Sequence, residues 1–244
     1  MSQQIRIKPE QLLVVDIETI PQHASYANLP EAWKLLWNQR VSKTMPENTD
    51  PALAYEEKAG IHAEFARIIC ISTGFFYTDK GGRQCFRIQT LSNHNEKVLL
   101  TDFLESLHAF ARQTPNMLFA GHNIREFDIP FICRRLMING LEIPDYLQFS
   151  GRKPWEVNLV DTLQLWKFGD YKAFTSLPLL ATCLGIDTPK TDMDGSMVRH
   201  VYYTEHDLGR IAAYCGADVV ATAQILLRFL HLPALPQANI FAAP

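Results

Sequence analysis

The chain has 244 residues, 47% of them hydrophobic, enough to bury the core of one large α/β domain or two small ones. Its net charge of −3 advertises no global basic field, which does not exclude nucleic acid, and any affinity for it is expected to be modest, local and sensitive to salt. Five cysteines (Cys70, Cys85, Cys133, Cys183, Cys215) without metal-ligand or redox spacing predict reduced thiols and a cytoplasmic setting. No signal peptide begins at Met1 and no uninterrupted apolar stretch reaches membrane-spanning length, so no membrane partner is expected.

The first element is Leu12-Leu13-Val14-Val15-Asp16-Ile17-Glu18-Thr19, a β-branched run without Gly or Pro that reads as a strand buried on both faces. Side chains alternate along a strand, so Asp16 and Glu18 share a face. Two carboxylates beside a buried strand repel each other and resist desolvation unless a cation joins them, and an oxygen-rich site of this kind suits Mg²⁺ or Mn²⁺. The alternative is a strand end running out into solvent.

Pro21 to about Glu64 departs from the α/β rhythm and is read as a helical insertion over one end of the sheet. Ala32 to Trp37 is helical in pattern, and after a polar break a second helix is expected from Pro51 to Ala66, with Asp50 placed to cap it. The block is either a lid on a substrate or an elaboration that buries its own tryptophans. Arg67 to Tyr77 and Gln84 to Leu91 then form a hairpin about Asp79-Lys80-Gly81-Gly82. Asn95 to Gln113 carries a helical apolar stripe, and Met117 to Ala120 is a short buried strand ending in Gly121-His122-Asn123. Helices are expected over Asp128 to Met137, Thr175 to Leu184 and Asp207 to Leu230, with one more short strand at Leu159 to Thr162. Without a repeat or a low-complexity linker, residues 1–232 read as one domain containing the 21–64 insertion, and 233–244 as a flexible tail.

Three segments carry chemistry. Asp16 and Glu18 end the first strand. Gly121 to Pro130 joins a strand end to a helix start, with Asn123 at the carboxyl end of a strand, where open α/β sheets bind ligands, and Asp128 where an acid could cap the helix. In the last helix Tyr214 and Asp218, four apart, lie along one line. The small residues Cys215, Gly216 and Ala217 between them let the backbone approach a neighbour. Asp161 reads as a local cap, Lys190 to Ser196 as a polar loop, and Arg134-Arg135 and Arg152-Lys153 as solvated charges.

Asp16-Ile17-Glu18, Asn123 to Asp128, and Tyr214 with Asp218 together resemble the three-motif signature of the DEDD superfamily of 3′–5′ exonucleases. The tyrosine four residues before the last acid resembles the tyrosine subclass, and the surrounding wording is most similar to the exonuclease domain of family B DNA polymerases, in stand-alone form. The long 21–64 block and the absence of a polymerase domain are departures from that pattern. The resemblance implies a ribonuclease H-like α/β fold, a mixed sheet flanked by helices. It also implies two divalent ions, Mg²⁺ or Mn²⁺, held by Asp16, Glu18, Asp128 and Asp218, about 3.5–4 Å apart as in other two-metal sites. Tyr214 would then aim the attacking water, and Thr19 and Asn123 are candidates to hold the terminal nucleotide, or else satisfy nearby backbone groups. The expected activity is hydrolysis of single-stranded DNA from its 3′ end to nucleoside 5′-monophosphates, with a polymerase or repair protein as a possible partner. An exoribonuclease and a non-catalytic nucleic-acid-binding module are the rival readings.

Overall fold

Strand β1 (Leu12–Pro21) is the axis on which the two kinds of strand pairing meet. On one side it runs antiparallel to β2 (Ala66–Thr78), which turns back through Asp79-Lys80-Gly81-Gly82 into β3 (Gln84–Ser92). On its other side lie β4 (Leu118–Gly121), parallel to β1, and β5 (Leu159–Asp161), parallel to β4. A last strand, β6 (Ile240–Ala242), adds to β3, so the sheet order is β5-β4-β1-β2-β3-β6. The computed structural model describes residues 7–153, 156–170, 172–187 and 192–243; Lys190 and Thr191 of the polar loop expected before the last helix lie outside them.

Alternation along β1 sorts its residues between two cores. Leu13, Val15 and Ile17 face α3 (Glu96–Gln113) and α4 (Asp128–Ile138), meeting Leu99, Phe103, Leu107, Ile129 and Ile132. Leu12 and Val14 point the other way, into a core with Val219, Ala223 and Leu226 of the long helix α8 (Leu208–Phe229). Asp207 caps α8 and Asn95 caps α3, each side chain accepting backbone N–H groups of the first turn. Helix α8 has the length and hydropathy of a membrane span, contrary to the sequence expectation, yet over half of it is buried. Its apolar stripe packs on β1, β2 and β3 as a core helix does.

The insertion holds α1 (Glu31–Thr44) and α2 (Pro51–Lys58), the latter capped by Asp50 as expected. Here Trp37 is fully buried against Tyr55 and Phe65, and its indole donates to the Pro51 carbonyl at 2.8 Å. The block thus builds a small core of its own. Helix α2 stops eight residues short of the expected Ala66, because Ala59–Ile61 tightens into a 3₁₀ turn before β2.

Three further differences have local causes. After β5, Asp161 accepts the amides of Leu163 and Gln164 and starts α5 (Thr162–Lys167), which was not expected; α6 (Leu177–Cys183) follows. Before α8 the chain forms α7 (Val198–His200) and a π-turn over Val201–Glu205. The tail expected to be loose instead docks: Asn239 donates to the Gln84 carbonyl, and Ile240–Ala242 cover the outer edge of β3, whose backbone groups would otherwise lack partners.

Arg135 is the clearest correction. It is 4% exposed, not solvated, and its guanidinium grips Glu96 through Nε (2.8 Å) and Nη2 (2.5 Å) while Nη1 donates to the Ala63 carbonyl. Glu96 also accepts from the Ile68 amide and from Asn139, so the Glu96–Arg135 pair ties α3, α4, the start of β2 and the end of the insertion. Removing one partner strands the other without a countercharge. Arg135→Met, which keeps the bulk, is expected to lower unfolding free energy by about 3–5 kcal/mol in denaturant titration; a loss near zero would show that Glu96 reaches water.

Candidate active site

The period of β1 that places Leu12 and Val14 against α8 also places Asp16 and Glu18 there, beyond the apolar part of the strand. A bulge falls between Glu18 and Thr19, where the pairing with β2 shifts register, a device that re-aims side chains at functional strands. Helix α8 comes close enough to meet them because its contact face is small. A Cβ on Gly216 would lie 3.2 Å from Thr90 Oγ1, so Gly216, unfavourable in a helix, is matched to its place against β3. From this turn of α8 come Tyr214, Cys215 and Asp218.

Asp128 arrives from the other side. Parallel pairing of β1 with β4 ends at Val14 and Ala120, leaving the β4-side edge of β1 free beyond that point. The free amide of Ile17 donates to Asp128 Oδ1 at 3.2 Å. Asp128 is therefore the first residue of α4 and bonds to β1; it does not cap its helix, since the cap position is Phe127. Gly121 permits the approach of β4, as a Cβ there would sit 2.9 Å from the Val15 carbonyl oxygen.

The structure so brings Asp16, Glu18, Asp128 and Asp218 within electrostatic reach of one another. Burial is the largest influence on each, and it raises all four carboxyl pKa values. Asp16 and Glu18 are further raised by their acidic neighbours. Asp128 is pushed up to about 7, with the Ile17 amide acting against the shift, and Asp218 to about 6, opposed by the neighbouring Tyr214 hydroxyl. Tyr214 itself is pushed upward by burial and by Asp218, Glu18 and Asp16, so it carries its proton at neutral pH. Among the described residues no Lys, Arg or His acts on any of these acids. Glu18 is only 8% exposed, and among the described residues nothing donates a hydrogen bond to its carboxylate. Buried carboxylates without a countercharge are what a divalent cation satisfies, and ligand atoms of Asp16, Glu18 and Cys215 all lie within 4.8 Å of one another. The residues present fit a metal centre.

The two expected nucleotide contacts diverge. Thr19 donates its hydroxyl to the Gly60 carbonyl at 2.7 Å, which fastens the insertion to β1 and leaves no hydroxyl proton for a ligand. Asn123 adopts a left-handed φ of 62° and its Oδ1 is buried without a partner. Asp161, read from sequence as a cap alone, also accepts the amides of Asn123 (3.0 Å) and Arg125 (3.1 Å) and so shapes the loop that carries Asn123. His122 is held beside it between Thr162 Oγ1 and the Thr175 carbonyl. The strand-ending Asp161 was a visible signal for the cap; its second task depends on β4 and β5 lying side by side.

A family model described as a predicted 3′–5′ exonuclease related to the exonuclease domain of PolB matches residues 61–239. The chain belongs to that family. The matched stretch of this PolB-related exonuclease family takes in Asn123, Asp128, Tyr214 and Asp218 and begins after Asp16 and Glu18. Among solved structures the chain is similar to the family B DNA polymerase from the hyperthermophilic archaeon Pyrobaculum calidifontis, with a TM-score of 0.50 and 16% identity over 92% of this chain and 25% of the polymerase. That likeness shows the fold, the ribonuclease H-like mixed sheet flanked by helices, and the chain spans a quarter of the polymerase's length. No curated protein matches it in sequence.

The crowded acids make stability depend on pH with a definite sign. Raised carboxyl pKa values mean that the folded metal-free protein holds protons that the unfolded chain releases near its ordinary value of 3.8. The stabilising contribution is present in full below that pH and is lost as pH rises through about 6 and about 7. The metal-free melting temperature should therefore fall across this window, and Mn²⁺ added above it should restore what was lost. Asp218→Asn should flatten the slope and be at least as stable as the parent without metal. Unfolding of that variant in thermal melts would mark Asp218 as a structural acid.

Proposed function

We propose that this PolB-related exonuclease hydrolyses single-stranded DNA from its 3′ end and releases nucleoside 5′-monophosphates. Asp16, Glu18, Asp128 and Asp218 would hold two divalent cations, Mg²⁺ or Mn²⁺. The observation that carries the reading is the meeting of four carboxylates, buried or half-buried and without a cationic partner among the described residues, with a tyrosine hydroxyl beside one of them. Such ions supply charge neutralisation for the phosphodiester and its leaving 3′-oxygen and lower the pKa of the attacking water.

The chain's own residues do the rest. Tyr214 keeps its proton and stands beside Asp218, so it serves as a positioned hydrogen-bonding group for the water and not as a base. The buried, unpaired Oδ1 of Asn123 supports a role in holding the terminal nucleotide. The bond from Thr19 to Gly60 supports a role for Thr19 in shaping the wall of the site.

With 3′- and 5′-labelled DNA and RNA oligonucleotides, the expected result is stepwise loss from the 3′ end of DNA that stops with chelator and returns with Mg²⁺ or Mn²⁺. Undiminished cleavage after exhaustive chelation removes the two-metal reading, and preferential loss of RNA reassigns the substrate. Tyr214→Phe keeps the ring and removes the hydroxyl. Its single-turnover rate at saturating Mn²⁺ should drop by roughly 10²–10⁴-fold or somewhat less, with metal affinity kept. A wild-type rate would return Tyr214 to a packing role.

A further inference from the structure

The carboxylates do not complete the donor set at this site. Cys215 is fully buried beside Asp16, its Sγ 3.2 Å from Asp16 Oδ2, and it belongs to the same three-residue donor group as Asp16 and Glu18. Cys70 stands opposite Glu18 in the β1–β2 pairing and lies in the same buried cluster as Cys215. The four acids account for hard cations. A thiol among them, next to a second thiol and to the unpartnered Glu18 carboxylate, has no part in that chemistry and changes which cations the site can take.

We propose that Cys215 is a third protein donor at the Asp16–Glu18 end of the centre, so that this end accepts a thiophilic divalent cation, Zn²⁺, Co²⁺ or Cd²⁺, through two carboxylates and one thiolate. Soft sulfur ligands favour these ions, whereas Mg²⁺ takes oxygen donors and leaves the thiol protonated and bonded to Asp16. A thiophilic ion displaces the Cys215 proton to solvent, together with any proton still held by the two carboxylates that join it. Cys70, outside the ligand set, packs in the same cluster as Cys215. The centre is thus open to a competing ion that resets it. The inference rests on the metal-centre part of the proposed function and not on nuclease action.

The test is a Co²⁺ titration of the reduced, metal-free full chain, followed by absorbance. A sulfur-to-cobalt charge-transfer band in the near ultraviolet is expected, saturating together with the visible cobalt bands. Cys215→Ser should lose the band and bind Zn²⁺ about tenfold or more weakly, with Mn²⁺ affinity little changed; Cys70→Ser should keep the band. Cobalt bound with an all-oxygen spectrum in the unaltered protein overturns the proposal without recourse to any variant, and so does a band that survives in Cys215→Ser. Cleavage of DNA with an all-oxygen cobalt spectrum would leave the exonuclease reading standing alone. A sulfur band in a chain that cleaves nothing would leave the thiolate site standing alone. No cobalt binding at all overturns the thiolate site, and the exonuclease reading then stands or falls on cleavage with Mg²⁺ or Mn²⁺.

Discussion

Mutual repulsion among Asp16, Glu18, Asp128 and Asp218, in a corner from which water is largely excluded, is the constraint on which the remainder of the structure depends. Desolvation and like charge both act against ionisation there, and among the described residues no basic side chain relieves them. Such a cluster persists only where surrounding structure over-determines it. Each acid is accordingly set on a rigid element. Asp16 and Glu18 lie on the central strand, Asp218 in the middle of a 22-residue helix, and Asp128 is held by the free amide of Ile17. The energetic conflict sits at the one place where a cation resolves it.

The contrast with Glu96 and Arg135 separates structure from function within one chain. Glu96 is equally buried, yet it receives a bidentate guanidinium, a backbone amide and a side-chain amide, so its charge is satisfied entirely by protein. Among the described residues the four acids of the site lack every such cationic partner. Both kinds of buried acid read alike in sequence, and only the identity of their neighbours tells them apart.

The insertion modifies this plan without disturbing the sheet. Its core of Trp37, Tyr55 and Phe65 is self-contained, and it is tied to the end of β1 by the bond from Thr19 to Gly60 and by the bond from the Gln22 amide to the Phe65 carbonyl. The Tyr203 hydroxyl binds the Pro21 carbonyl from the other side. The carboxyl end of β1 is therefore braced on two flanks just past the bulge that aims Glu18.

Sequence by itself determined the elements whose signals are local. The Val-rich run of β1, the hairpin about Gly81-Gly82, the stripes of α3 and α8 and the cap at Asp50 follow from periodicity and capping chemistry, which act over a few residues. The three acidic motifs were legible for the same reason, each being a short pattern at the end of an element. Tertiary structure alone decided what lay across the sheet. Arg135 is a buried clamp because Glu96, 39 residues away, is brought to it, and Ile240–Ala242 form a strand because the edge of β3 is open. Thr19 spends its hydroxyl on a carbonyl 41 residues distant, and Cys215 meets Asp16 across 199. Those outcomes depend on which groups become neighbours when desolvation leaves them no water to bind, and no pattern within one segment carries that information.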